Sequence, residues 1–244
     1  MKSPFNFVNA SRISKRAAVG FSLMEVLVSI FILSVVSGAV FQQINLMQKK
    51  SNSEAMKLDM SQQAREFIDQ TVHDLHMAGY PSASMYSNPP RPSMVAAGLV
   101  SVSPTQILLE GDVNNDGTVS SVNIFYMSND PLDPTCPCIR RSAQQKRETD
   151  SLNQGINPQY TETQHLFPPG TGAGQSGEDL FAYYDQNGGP VNIGAGTDIS
   201  TVAGQNLIAT IKTVKINLSM LSQPDMESKN PIRTSMSATA RLNK

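Results

Sequence analysis

The chain has no tryptophan, only three histidines and two cysteines, and its 19 basic residues nearly cancel its 20 acidic ones, leaving a formal net charge of −1. Each shortage excludes something. Two cysteines, Cys136 and Cys138, cannot build a disulfide framework. His73, His76 and His165 have no zinc-finger spacing, so Cys136-Pro137-Cys138 lacks the second half of such a site. A near-neutral balance gives no general reason to expect nucleic-acid binding. There is no nucleophile elbow, phosphate loop or metalloprotease motif, and no internal repeat. An enzyme is not expected.

The charge that is present is unevenly placed. The first twenty residues carry Lys2, Arg12, Lys15 and Arg16 and no acid. Without those four, 15 basic side chains face 20 acidic ones, a net of about −5. Directly after them comes the most apolar stretch, FSLMEVLVSIFILSVVSGAVF at 21–41, in which Glu25 is the single charge. As a helix it would span roughly 31 Å, about the thickness of a bilayer's hydrocarbon core. A secretory signal has a shorter apolar region followed by a small-residue cleavage site. No such site follows here, so the run is expected to be kept. Basic residues ahead of it predict a cytoplasmic N-terminus and the bulk of the chain outside.

An acid within a membrane-spanning run costs a few kcal/mol and usually has a function. Glu25 belongs to Gly20-Phe21-Ser22-Leu23-Met24-Glu25. With the basic leader before it and the apolar run after it, this segment resembles the prepilin peptidase site of type IV pilins and type II secretion pseudopilins. The resemblance implies a leader over 1–20 and a cut between Gly20 and Phe21. It also implies an N-methylated Phe21 and an assembly role for Glu25. Cutting creates a positive amine at the edge of the apolar run. Glu25 of a neighbouring subunit can then pair with it in a low-dielectric helix bundle. Many major pilins carry a proline about two-thirds along this helix; here residue 42 is Gln, and Ser37-Gly38 is the only local softening.

From Ser51 to about Met77, Leu58, Ala64, Phe67, Ile68, Val72 and Leu75 recur at helical spacing, and Gly79 and Pro81 supply a stop. The reading is one long helix: a transmembrane and assembly half over 21–44 and an amphipathic half over 45–80, its stripe packed on a sheet. The rest, 81–244, reads as a β-rich lobe. Strands are expected at Gln106–Glu110, Val119–Met127, Leu180–Tyr184, Ile208–Leu221 and Ile232–Leu242. Residues 82–98 and the Pro/Gly-rich stretch 128–178 read as loops. The fold class is therefore α+β, a long helix on an antiparallel sheet. That order, LHMAGY at Leu75–Tyr80 and YYDQNG at Tyr183–Gly188 resemble PilW-type minor pilins. J-type pseudopilins share the plan.

Two further constellations could bind something. Asp112, Asn114, Asp116 and Thr118 place oxygen donors as in a calcium loop, with Gly117 at the sharp turn. The twelfth position is Asn123, where a bidentate Glu is wanted, and a plain hairpin turn explains the same residues. Cys136 and Cys138 could form a local disulfide, a redox pair or half a zinc site; outside the cytoplasm oxidation is expected. His73 and His76 read as ordinary helix residues. Arg140-Arg141 and Lys146-Arg147 read as a solvated basic face, too small to argue for nucleic acid.

The resulting expectation is a minor pilin or pseudopilin anchored in the inner membrane by one span. Its partners would be a prepilin peptidase/methylase and other pilin subunits, with no nucleic acid and no cofactor except calcium at the 112–123 loop. A membrane-tethered binding protein that enters no filament is the alternative.

Overall fold

In the computed structural model, the described residues are 20–131, 133–134, 136–148, 150–170, 178–194, 196–221 and 233–242. The leader residues before Gly20 lie outside them. The chain divides into two compact units at Asn52/Ser53. One helix, α1 (Leu23–Met77), runs through the boundary without a break at Ser37-Gly38.

Within the first unit, α1 exposes its apolar side chains from Leu23 to Met47 on every side. It is long and apolar enough to cross a membrane. Hydroxyls in this run are satisfied by the helix itself: Ser29 Oγ donates to the Glu25 carbonyl at 2.7 Å and Ser34 Oγ to that of Phe31 at 2.8 Å. In hydrocarbon an unsatisfied hydroxyl would be costly, and these bonds remove that cost.

In the second unit α1 turns a stripe inward: Met60, Ala64, Phe67, Ile68, Thr71, Asp74 and Leu75 are buried. The expected stripe is corrected at two points. Leu58 is 72% exposed, because two residues before Met60 lies on the far side of the helix, and Val72 is only half-buried. The helix stops where expected. Gly79 takes φ +86°, the left-handed conformation that closes helix C-termini.

The lobe holds two antiparallel sheets where one was expected. The first is ordered β5-β4-β3-β2-β1-β8. Its strands are β1 (Gly98–Val102), β2 (Gln106–Gly111), β3 (Ser120–Met127), β4 (Cys138–Gln145), β5 (Tyr160–Thr163) and β8 (Thr197–Asp198). The second is ordered β10-β9-β6-β7, with β6 (Phe181–Tyr184), β7 (Pro190–Val191), β9 (Thr213–Leu221) and β10 (Arg233–Arg241). A short helix, α2 (Val202–Thr210), precedes β9 and takes Ile208–Thr210 out of the expected strand. Its N-terminus is capped by Thr201 Oγ1, which accepts from Gly204 N at 3.0 Å. The expected loop over 128–178 is corrected most. It contains β4 and β5, whose polar residues hid their alternation.

Both sheets contribute to one core with α1. In the first, Ile107 of β2 stands opposite Ile124 of β3, which stands opposite Arg141 of β4. In the second, Val214, Ile216, Leu218 and Met220 point inward from β9 while alternate residues point out. Tyr183, buried in β6, donates its hydroxyl to the Ser103 carbonyl at 2.8 Å and ties that sheet to the β1–β2 turn. The end of α1 is fastened to β2: Gly79 N donates to the Glu110 carbonyl and Asp112 N to the Tyr80 carbonyl, both at 2.9 Å. A Cβ on Gly111 would run into the Met77 carbonyl. Gly111→Ala is therefore expected to destabilise the lobe by about 1–3 kcal/mol, measured as a lowered denaturation midpoint of the detergent-solubilised chain followed by near-UV circular dichroism.

Candidate functional site

At the N-terminus, Gly20, Phe21 and Ser22 precede the helix. The Ser22 carbonyl accepts the first helical bonds, from Glu25 N at 2.9 Å and Val26 N at 3.2 Å. Gly20 is exposed and Phe21 is 81% exposed. Glu25 lies in the first turn of α1, where the helix's unsatisfied amides favour a negative charge. Its carboxylate is exposed and has no ion-pair or hydrogen-bond partner among the described residues. The geometry thus presents an accessible peptide bond ahead of a helix, an unpaired acid one turn in, and an apolar surface on all sides.

The 112–118 segment forms the β2–β3 hairpin connection. Asp112 is buried and faces inward along the loop: its Oδ1 accepts from Asp116 N at 3.0 Å and its Oδ2 from Gly117 N at 2.9 Å. Asp116 Oδ1 accepts from Thr118 N at 2.8 Å and from Thr118 Oγ1 at 2.6 Å. Those two bonds hold the Asp116 carboxyl below its ordinary value. Asn115 and Gly117 take positive φ, +54° and +82°, as tight turns require. Asn123 is not brought to this loop. It sits within β3 between Leu108 and Ser142, and its Oδ1 accepts from Gln106 Nε2 at 2.9 Å. The loop is closed by carboxylate-to-amide bonds, and the twelfth-position ligand is held elsewhere.

Cys136 and Cys138 are joined in a disulfide. Asp133 lies beside them, and these three are the only cluster of metal-donor side chains among the described residues. With both sulfurs bonded to each other, the group offers no thiolate. Leu166 N donates to the Pro137 carbonyl at 2.9 Å, so the bridge also anchors the chain after β5. His73 is half-exposed, with Nδ1 3.9 Å from the buried Asp74 carboxylate.

The basic cluster on and just after β4 is corrected for three of its four members: Arg147 is exposed, whereas Arg140, Arg141 and Lys146 are not a solvated face. Arg141 grips Asp74 through two bonds, Nε to Oδ2 at 2.8 Å and Nη2 to Oδ1 at 3.2 Å. Asp74 is wholly buried in the α1 stripe and also accepts from Gln70 Nε2 at 3.1 Å. On the opposite face of the sheet, Lys146 Nζ reaches the fully buried Glu110 at 2.6 Å and donates to the Val95 carbonyl at 2.8 Å. Arg140 pairs with Asp130 and lies 3.6 Å from Asp133. Alternation along β4 explains the split: Arg140 and Arg141 are adjacent and so point to opposite faces. Sequence reasoning passed over Asp74 and Glu110. A signal existed for the first, an acid at a position that continues the 64–67–71 stripe.

No protein-family model matches the chain, and no curated protein and no solved structure matches it.

Two outcomes follow from the buried charges. Arg141→Met strands the Asp74 carboxylate and is expected to cost about 3–5 kcal/mol, while adding Asp74→Leu should recover most of the loss. Chemical denaturation of the two single variants and the double variant checks this. Glu162, beside this pair on β5, has its pKa raised. Burial is the main cause, Arg141 opposes it and Asp74 adds to it. The folded state thus disfavours the charged form. The penalty is fully present above the folded pKa and vanishes as pH falls below the unfolded value near 4.5. Glu162→Gln is expected to raise the melting temperature at neutral pH, with the gain disappearing in acid.

Proposed function

We propose that the chain is a type IV pilin-like subunit of the PilW minor-pilin kind, with a J-type type II secretion pseudopilin as the near relative of that reading. It is a structural component and not an enzyme. The observation that carries the proposal is the construction of residues 20–47. An exposed Gly20-Phe21 junction leads into a helix whose apolar side chains are exposed all round and whose first turn carries the one acid, Glu25. A helix of this kind needs an apolar environment on every side. A bilayer supplies one before assembly, and a bundle of identical helices supplies one after it.

In this reading a prepilin peptidase removes residues 1–20 and methylates Phe21. The chain remains in the inner membrane until Glu25 of one subunit meets the free amine of the next. The pairing is favourable because an unpaired carboxylate in hydrocarbon costs a few kcal/mol and the pair relieves it. The antiparallel lobe is held to the second half of α1 through Asp74; in this reading it stays outside the membrane, free for subunit contacts.

Glu25→Ala tests the proposal. In cells that assemble the filament, the variant is expected to be processed normally, with Phe21 as its N-terminal residue, and to be missing from sheared filaments. Incorporation equal to that of the parent would sink the assembly role. A chain that is never cut at Gly20 and works unchanged would favour a membrane-tethered binding protein.

A further inference from the structure

The four-stranded sheet has an outward face that α1 and the core do not use. β9 turns Thr213, Lys215, Asn217 and Ser219 outward, and β10 turns out Arg233, Ser235, Ser237, Thr239 and Arg241, all five of them exposed. Strands β6, β9 and β10 contain no Asp or Glu. In a chain with 20 acids, a sheet with cations alone is a specific distribution of charge.

The cations gather at one end. Lys212, Lys215 and Arg241 line an open cleft of about 540 Å³ together with Thr239 and the 184–188 turn. Register puts them there: Thr239 stands opposite Lys215, and Arg241 opposite Thr213. The side chains of Lys212 and Arg241 have no ion-pair or hydrogen-bond partner among the described residues. Lys215 has only a loose contact, 3.8 Å to the exposed Glu178. The one acid of the turn, Asp185, has its Oδ1 occupied by Asn187 N and Gly189 N, each at 2.8 Å. The cleft therefore sets three cations against Asp185 and the exposed Glu178, a net positive site with amide and hydroxyl groups at its rim.

Beyond the cleft the character changes. Between Arg241 and Arg233, roughly 27 Å along β10, the outward side chains are the hydroxyls of Ser235, Ser237 and Thr239. At the far end the Arg233 guanidinium lies 4.4 Å above the Phe167 ring. Such a row suits a polymer that is neutral and rich in hydroxyls, with acidic groups at intervals. Single-stranded nucleic acid asks for something else: cations at every phosphate and aromatic platforms for the bases. The aromatics beside the row, Tyr184 at the cleft and Phe167 under Arg233, stand at its two ends, and β9 and β10 carry none between them.

We propose that this face binds an acidic polysaccharide, seating one carboxylate or phosphate of the polymer at Lys212, Lys215 and Arg241 and laying neutral sugars along the β10 hydroxyls. The binding belongs to the lobe and does not require entry into a filament, so it stands or falls separately from the assembly role.

The test uses the full chain in detergent micelles and calorimetric titration with a hexasaccharide alternating uronic acid and neutral sugar. A neutral hexasaccharide and a short oligothymidylate serve as comparisons. The acidic hexasaccharide is expected to bind, to weaken as salt is raised, and to lose about tenfold or more in affinity in Lys212→Gln/Arg241→Gln. Ser237→Glu, an exposed change in the middle of the row, should weaken it as well. An unchanged melting temperature certifies that both variants fold. Equal binding of the neutral sugar, tighter binding of the oligothymidylate, or full affinity in the double variant would overturn the proposal.

Discussion

One ion pair between α1 and β4 sets the register in which the helix sits on the lobe. Asp74 stands where an apolar residue would be expected on the inward stripe of α1, and it is tolerable only because Arg141 meets it with two charge-assisted hydrogen bonds. The pair joins residues 67 apart in sequence, and with it the long helix takes a unique seat on β4. A purely apolar stripe would hold the helix about as strongly, but it would slide more easily in register, because hydrophobic contact is non-directional. A bidentate pair is directional. Directional contact matters for a helix whose buried stripe must meet the strands of the lobe in one register.

The second buried pair works on the opposite face of the same strand. Glu110 accepts from Lys146 Nζ and from Ala97 N, and Lys146 also bonds the Val95 carbonyl. The segment 95–97 and Lys146, just past the end of β4, are held to β2 in this way. The six-stranded sheet thus has an apolar side closed by α1 and a polar side closed by hydrogen bonds and charge. Asn123 is buried on that side and accepts from Gln106, while Ser121 and Ser142 are buried beside it and the Ser142 hydroxyl has no hydrogen-bond partner among the described residues.

How far this was legible in the sequence follows from these same residues. The helix, its stop at Gly79, the hairpin at 112–118 and strands β2, β3, β6 and β10 could be read, because their apolar residues repeat at a helical or two-residue period or their turns carry Asn, Asp and Gly. Strand β4, CIRRSAQQ, could not. Its inward positions hold Ile139, Arg141 and Ala143, and an arginine that is buried by pairing looks solvated to any rule based on hydropathy. The split into two sheets was hidden for a related reason. β9 alternates cleanly, but nothing local says which strand it pairs with. At the candidate loop, the oxygen donors were legible by spacing, whereas the inward turn of the Asp112 carboxylate is a matter of backbone geometry.

The order of strands has a consequence for how the chain is made. β1 to β5 follow one another in sequence and lie side by side in the sheet, so each can pair with its predecessor soon after it is synthesised. The helix cannot. Phe67 and Leu75 emerge before any strand that covers them, and the apolar run ahead of them emerges earlier still. Until the strands of both sheets that share the helix's core are made, the nascent chain displays two hydrophobic surfaces at once. Membrane insertion can take up the first of these; the second needs shelter or speed. The meander of short local hairpins provides speed, so the simple connectivity of the first sheet shortens the interval in which the stripe stands open to aggregation.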